Sequence, residues 1–192
     1  MPSKKTRTPL ESGRVHHIYN RGNNYQDIFF VEEDYYLFLE RFSFFLKDFC
    51  EVYAYALIPN HYHFLIRIND DLEPNKFGHQ FMKFVLSYTN KINFRENRNG
   101  SLFLNIFKRV LVDDESYLKR LIFYIHYNPE KHEIIEDYKD YRFSSYRSFL
   151  SDKPSKLARN TVIEYFGNRD EFIEYHNYLH DEKVIQKYIL ED

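Results

Sequence analysis

The stretch YAYALIPNHYHFLIRI, residues 53–68, sets the reading of the whole chain. Residues 51–58 (EVYAYALI) form a strand, Pro59-Asn60 turns the chain, and residues 61–68 form a second strand. Two strands joined this closely are expected to pair antiparallel. Alternation sends His61 and His63 to one face. Tyr62, Phe64, Ile66 and Ile68 then take the other, which must be buried. Two imidazoles on one face suit a single cation, because each can offer a neutral ring nitrogen. A plainer account also fits, with His61 as a turn residue and His63 as a partly exposed surface group. No acidic residue follows until Asp70 and Asp71, so the His-x-His-x-Asp-His pattern of binuclear zinc hydrolases is missing.

Outward from this hairpin the period changes. Residues 14–20 (RVHHIYN) read as a first strand ending at the turn cluster Arg21-Gly22-Asn23-Asn24. Residues 33–49 read as a helix, with Tyr35, Leu39, Phe42, Leu46 and Phe49 at helical spacing. A second helix is expected over 76–95, with the stripe Phe77, Phe81, Phe84, Tyr88 and Ile92. LFLNIFKRV, from residue 102, is expected as a fourth strand. A third helix capped by Asp113 or Asp114 is expected to end at Asn128, stopped by Pro129. The order strand, helix, strand, strand, helix, strand, helix predicts an α+β domain with an antiparallel sheet covered by helices over 1–150. After the polar break SDKPSK, short helical stretches at 161–166, 170–178 and 181–190 form an expected helical C-terminal appendage over 151–192.

Bulk properties narrow the class. Hydrophobic residues make up 43% of the 192, enough for a core, and only 5 Gly and 6 Pro argue against low complexity. The single cysteine, Cys50, excludes a disulfide framework and a cysteine-rich metal site. No apolar stretch approaches membrane-spanning length and no signal-peptide pattern follows the basic N-terminus, so a cytoplasmic protein without a membrane partner is expected. Net charge is −2, but residues 76–109 carry seven basic side chains against Glu96 alone. This basic, aromatic-rich stretch suits a local nucleic-acid track, and equally a solvated helix face.

In YLKRLIFYIHYNP, residues 117–129, Leu118, Ile122 and Ile125 share one helical face, and Tyr117, Leu121, Tyr124 and Asn128 share another. Tyr124 and Asn128 therefore point the same way, one turn apart. A phenol is a nucleophile only when its proton is removed and the group it attacks is stabilised; a metal on a phosphate oxygen would do the second. Composition alone does not choose Tyr124 over Tyr88 or Tyr127 among 18 tyrosines.

Four ordered motifs, HHIYNRGNNYQDIFF, YALIPNHYHFLIRI, YLKRLIFYIHYNP and DYRFSSY, together resemble the HUH single-tyrosine transposases (histidine, hydrophobic residue, histidine). The likeness is particularly to the REP-associated tyrosine transposases of bacteria, and covers about residues 14–148. The resemblance implies a ferredoxin-like or RRM-like fold. It implies His61 and His63 as metal ligands, Asn128 as a third, Tyr124 as nucleophile, and Mg²⁺ or Mn²⁺ as cofactor. The implied reaction is nicking and rejoining of single-stranded DNA through a 5′-phosphotyrosine link, at hairpins in the REP-associated group, without a small-molecule substrate. That group with its longer tail acts alone, so a monomer is expected rather than a dimer. Lys76, Lys83, Lys91, Arg95, Arg98, Lys108 and Arg109 are candidates to follow the DNA backbone, with Arg14, Arg21 and the N-terminal Lys4, Lys5 and Arg7 adding phosphate contacts.

The chain departs from the family pattern at Tyr62, usually aliphatic, at Phe143, usually Trp, and at Glu130-Lys131-His132, usually Val-Arg-Ala. Two alternatives stand beside the transposase. One is a domesticated, non-catalytic hairpin-binding protein, and the other is an unrelated metal hydrolase, against which the lack of nearby acidic ligands counts.

Overall fold

The expected hairpin closes across Pro59-Asn60 in a computed structural model that describes residues 8–73, 75–104 and 107–178. Strands β2 (Cys50–Ile58) and β3 (His61–Ile68) pair antiparallel, with Ile58 opposite His61. Strand β1 (Val15–Arg21) pairs antiparallel with the other edge of β3, placing Tyr19 opposite His63 and Arg21 opposite His61. Strand β4 (Lys108–Val112) pairs with β1, giving the order β2-β3-β1-β4.

Two helices fill the first face. Helix α1 (Glu32–Leu46) buries Tyr35, Phe38, Phe42 and Leu46, and α2 (Lys76–Arg95) buries Phe77, Phe81, Phe84, Tyr88 and Ile92. Both pack on Ile18, Tyr62, Phe64, Ile66 and Ile68, the apolar set that alternation assigned to the buried side. The sequence β1-α1-β2-β3-α2-β4 is the ferredoxin-like order. The buried Asp34 carboxylate ties the helices together. It accepts from the backbone N–H groups of Phe30 and Val31 at 2.8 and 3.2 Å and pairs with Arg95 of α2. Burial would raise its pKa, but these donors more than offset that and hold it below the usual carboxylate range.

The opposite face is not open. Helix α3 (Glu115–Lys131), capped by the Asp114 carboxylate accepting from Tyr117 N–H at 2.7 Å, packs there. Its Leu118, Leu121, Ile122 and Ile125 lie in one cluster with Ala54, Ala56, Leu65 and Val112 of the sheet. The short helix α4 (Tyr146–Phe149), α5 (Arg159–Phe166) and α6 (Arg169–Asn177) continue that cluster through Tyr146, Phe149, Val162, Phe166 and Phe172. Helix α3 is thus held between the sheet and the C-terminal helices, and the apolar cluster runs across residue 150.

Three expectations are corrected. The fourth strand lies over Lys108–Val112, not from residue 102; Leu102 and Phe103 instead fill the first core as irregular chain. Pro129 does not stop α3, which runs on to Lys131. Proline removes its own N–H and crowds the carbonyl four residues back, yet the N–H groups that follow find partners: His132 donates to Asn128 O at 3.1 Å and Ile134 to Pro129 O at 2.9 Å. Helix α1 ends at Leu46, leaving Phe49 packed from outside it. Lys4, Lys5, Arg7 and the stretch 181–190 lie outside the described residues.

The second core holds a directed hydrogen-bond chain. His176 Nδ1 contacts Phe172 O at 2.8 Å, leaving its Nε2 to face His126 Nδ1 at 2.9 Å; His126 Nε2 meets Ser145 Oγ at 2.7 Å. One proton per ring is enough to satisfy these three contacts. Burial, aided by His176, holds His126 well below the usual histidine range. Below about pH 6.5 the unfolded chain binds a proton on His126 that the folded chain does not. Stability is therefore expected to be full above that pH and to fall as the pH drops below it. Urea denaturation at pH 7.5 and 5.5 should show this loss, and it should shrink in His126→Gln; an equal loss in the variant would assign it elsewhere.

Candidate active site

β3 begins at His61 because the turn before it is anchored. Pro59 O accepts from the N–H groups of Ile28 and Phe29, and Asn60 O from Gly22 N–H at 2.8 Å. His61 and His63 share the face of β3 turned toward α3, as alternation requires, their ring centroids 5.1 Å apart. That face was expected to be exposed. Instead α3 covers it, and His63 is 0% exposed.

The facing side of α3 brings Tyr124, Asn128 and Lys131 together at i, i+4 and i+7. The Tyr124 ring stands 6.1 Å from His63, nearly perpendicular to it. Asn128 Oδ1 lies 3.0 Å from His61 Nε2. Lys131 Nζ donates to Tyr124 Oη at 2.9 Å and sits 4.6 Å from the centroid of its ring. His132 packs edge-on against His61, with centroids 4.7 Å apart.

Protons decide what His61 can do. Its Nδ1 lies 2.7 Å from Asn60 Oδ1, an acceptor, so the ring proton belongs on Nδ1. Nε2 then carries a lone pair, and it faces a second acceptor, Asn128 Oδ1. The amide nitrogen of buried Asn128 has no hydrogen-bond partner. Two acceptors 3.0 Å apart are satisfied by a cation beside them, or by the Asn128 amide turned so that its nitrogen donates to His61. Neighbouring ligands of an octahedral Mg²⁺, each at about 2.0–2.1 Å, stand about 3 Å apart, so the spacing fits one cation. Among the described residues no group of three His, Cys, Asp or Glu side chains could hold a metal. The protein oxygen that stands beside His61 is the amide oxygen of Asn128.

His63 has its own support. His17 Nε2 lies 2.9 Å from His63 Nδ1, and His17, Tyr19 and His63 stack with centroids 4.7–5.5 Å apart. When His63 Nδ1 donates to His17, its Nε2 keeps a lone pair for a ligand.

A cavity of about 260 Å³ opens beside the two imidazoles, lined among others by Tyr19, Arg21, Tyr25, Asn60 and Lys108. Arg21 and Lys108 are thus brought to the site. Lys76, Lys83 and Lys91 are exposed on α2, across the sheet from it. Arg95 is committed to Asp34 and Glu96, Arg98 donates to Gln26 Oε1 at 2.6 Å, and Arg109 donates to Thr8 O at 2.8 Å. Arg14 is exposed ahead of β1.

Sequence reasoning missed His17, Lys131, His132 and Tyr25. His17 stands in the quoted HHIYN, but only the β1–β3 register shows that it shares His63's face. Lys131 was lost because α3 was ended at Asn128.

No protein-family model matches the chain. Over 112 residues it is 28% identical to a Haemophilus influenzae protein named as a REP-associated tyrosine transposase, a match covering 52% of this chain. The chain spans 64% of that relative's length. Its fold matches a solved structure of a REP-associated tyrosine transposase bound to a REP hairpin, with TM-score 0.64 over 82% of this chain and 92% of that one, at 16% identity. Among the described residues no helix is long and apolar enough to cross a membrane. The chain resembles the REP-associated tyrosine transposases in its sequence motifs, and its antiparallel sheet with packed helices matches theirs in fold.

Proposed function

We propose that this protein is a metal-dependent HUH tyrosine transposase that nicks and rejoins single-stranded DNA at hairpins through a 5′-phosphotyrosine intermediate. The observation that carries this reading is the meeting of β3 and α3. His61 Nε2 and Asn128 Oδ1 face each other as acceptors, with His63 alongside and a tyrosine one turn before Asn128.

In this reading His61, His63 and Asn128 would hold Mg²⁺ or Mn²⁺, and the bound ion would supply polarisation of a phosphate oxygen and positive charge. Two imidazoles favour softer ions than Mg²⁺, so Mn²⁺ suits the set well. Asn60 and His17 orient the two rings by holding their Nδ1 atoms. Tyr124 Oη attacks phosphorus and gives up its proton to solvent water. The P–O bond to the 3′ oxygen breaks, and that oxygen takes up a proton as a free 3′-OH. The phosphodiester is exchanged rather than hydrolysed, so an incoming 3′-OH can reverse the step without an energy source. Lys131 donates to Tyr124 Oη, where it favours the phenolate as nucleophile and as leaving group. Its position resembles that of the Arg in the family's Val-Arg-Ala, which would preserve a cation beside the tyrosine.

In this reading the protein acts as a monomer, the tyrosine and the histidines of one chain working together. Arg21 and Lys108 at the cavity, with the exposed cations of α2 beyond the sheet, are the proposed backbone contacts. Residues 1–150 form the transposase domain in this reading and 151–192 an appendage, of which α5 and α6 brace α3.

Labelled single-stranded hairpins from the host genome, incubated with Mn²⁺ or Mg²⁺, should give a covalent band on a denaturing gel. Tyr124→Phe and His63→Ala should abolish it. Hairpin binding with no band in the parent protein would favour the non-catalytic binder instead. Band formation that survives Tyr124→Phe would move the nucleophile elsewhere. Lys131→Met should slow adduct formation by about 10- to 100-fold while Lys131→Arg retains most of it; equal loss in both would make the residue structural. His17→Ala should weaken Mn²⁺ binding by about 10- to 100-fold in calorimetry, and unchanged affinity would remove His17 from the site.

A further inference from the structure

Beside the imidazole pair, one turn holds an aromatic ring in an unusual way. Tyr25 is 61% exposed, although a large ring ordinarily gains by burial. Its backbone is left-handed, with φ 59°, directly after a left-handed Asn24 with φ 54°. This conformation is unfavourable for a bulky side chain. The turn is nonetheless built firmly. Gly22 N–H donates to Asn60 O and Asn23 N–H to Leu102 O at 2.9 Å. Gln26 donates to Leu102 O at 3.0 Å and accepts from Arg98. A Cβ on Gly22 would fall 2.0 Å from the backbone oxygen of Gln26, so the turn closes too tightly for any residue but glycine. Backbone strain held in place by its surroundings, with no burial to show for it, is a mark of ligand clamps.

The ring also has a partner of the right chemistry. The Arg21 guanidinium lies 3.7 Å from the Tyr25 centroid, and both residues line the cavity with His61 and His63. In register Arg21 stands opposite His61. A cation and an exposed π-face lining the same cavity as the imidazole pair are the two elements that hold single strands, charge for the backbone and a ring for a base.

We propose that Tyr25, braced by Arg21, is a stacking platform for one unpaired nucleobase next to the phosphate that Tyr124 attacks. The platform sets which nucleotide enters the cavity and so contributes to the choice of cleavage position. This rests on the reading of the site as a single-strand nickase. The strained turn keeps the ring outside the core and aimed at the strand. Arg21 fixes its tilt and contributes charge toward the flanking phosphate.

The test uses the full chain carrying Tyr124→Phe, which binds without reacting. The probe is a hairpin oligonucleotide with a single-stranded flank, with 2-aminopurine moved through the flank one position at a time. Quenching on binding is expected at one or two adjacent positions. It should be lost in Tyr25→Asn, which suits the left-handed backbone, and kept in Tyr25→Phe. Tyr25→Asn should weaken binding about tenfold or more. An abasic site at the quenched position should weaken the parent equally and add nothing to the Asn variant. Additive losses from the two changes, or unchanged quenching and affinity in Tyr25→Asn, would overturn the platform. A lower melting temperature for Tyr25→Asn would also overturn it, by showing that the ring supports the fold. Should the Tyr124→Phe chain bind no hairpin at all, the nickase reading fails and the platform fails with it; retained binding with no Tyr25 effect sinks the platform alone.

Discussion

The period-two alternation of β3 is the constraint on which the molecule depends. Tyr62, Phe64, Ile66 and Ile68 point into the core made with α1 and α2, and this fixes the register of the hairpin. A slip of one residue would put four large apolar side chains on the other face and both histidines in the first core. The same apolar contacts that stabilise the sheet therefore place two imidazoles side by side. The Tyr62 hydroxyl, buried without a hydrogen-bond partner, is an imperfection within this layer. Its pKa is driven upward by burial, so it stays a neutral phenol.

Helix α3 links that sheet to the chemistry proposed for it. One side supplies Leu118, Leu121, Ile122 and Ile125 to the second core, and the other end of the same helix presents Tyr124, Asn128 and Lys131 to β3. Because α5 and α6 brace its outer side, its position does not depend on the site groups themselves. The buried His126–His176 pair sets the spacing between α3 and α6 through directed hydrogen bonds, which a purely apolar contact could not do. A helix held this firmly can carry a side chain to within contact of an imidazole without the functional contacts having to hold the fold.

The site differs from its surroundings in how it uses polar atoms. In the second core each imidazole nitrogen has one donor or acceptor of the complementary kind. At His61 both ring nitrogens face amide oxygens, an arrangement that an added positive charge, or the Asn128 amide turned to donate, would complete. Local polar satisfaction elsewhere makes this departure meaningful, since groups that conflict with the general rule concentrate at functional sites.

Much of this was legible in the sequence because it is governed by local periodicity. The hairpin, the α1 and α2 stripes, and the shared face of Tyr124 and Asn128 follow from periods of 2 and 3.6. The boundaries of β3 and α2 coincide with their expected ranges for the same reason. The end of α3 did not follow, because local preference before Pro129 gave way to the packing of that turn. Nor did β4, where Leu102 and Phe103 look like strand but serve as core plugs. His17 could not be assigned, since which residues share a face across two strands is decided by register. Arg95 read as a free cation, and only the tertiary structure brings it to Asp34. The sequence by itself determined which side chains alternate and recur, and hence the fold class and the imidazole pair. Contacts between elements far apart in the chain, such as His17 with His63, His61 with Asn128, and Arg21 with the strained ring of Tyr25, were decided by packing, because no local period encodes them.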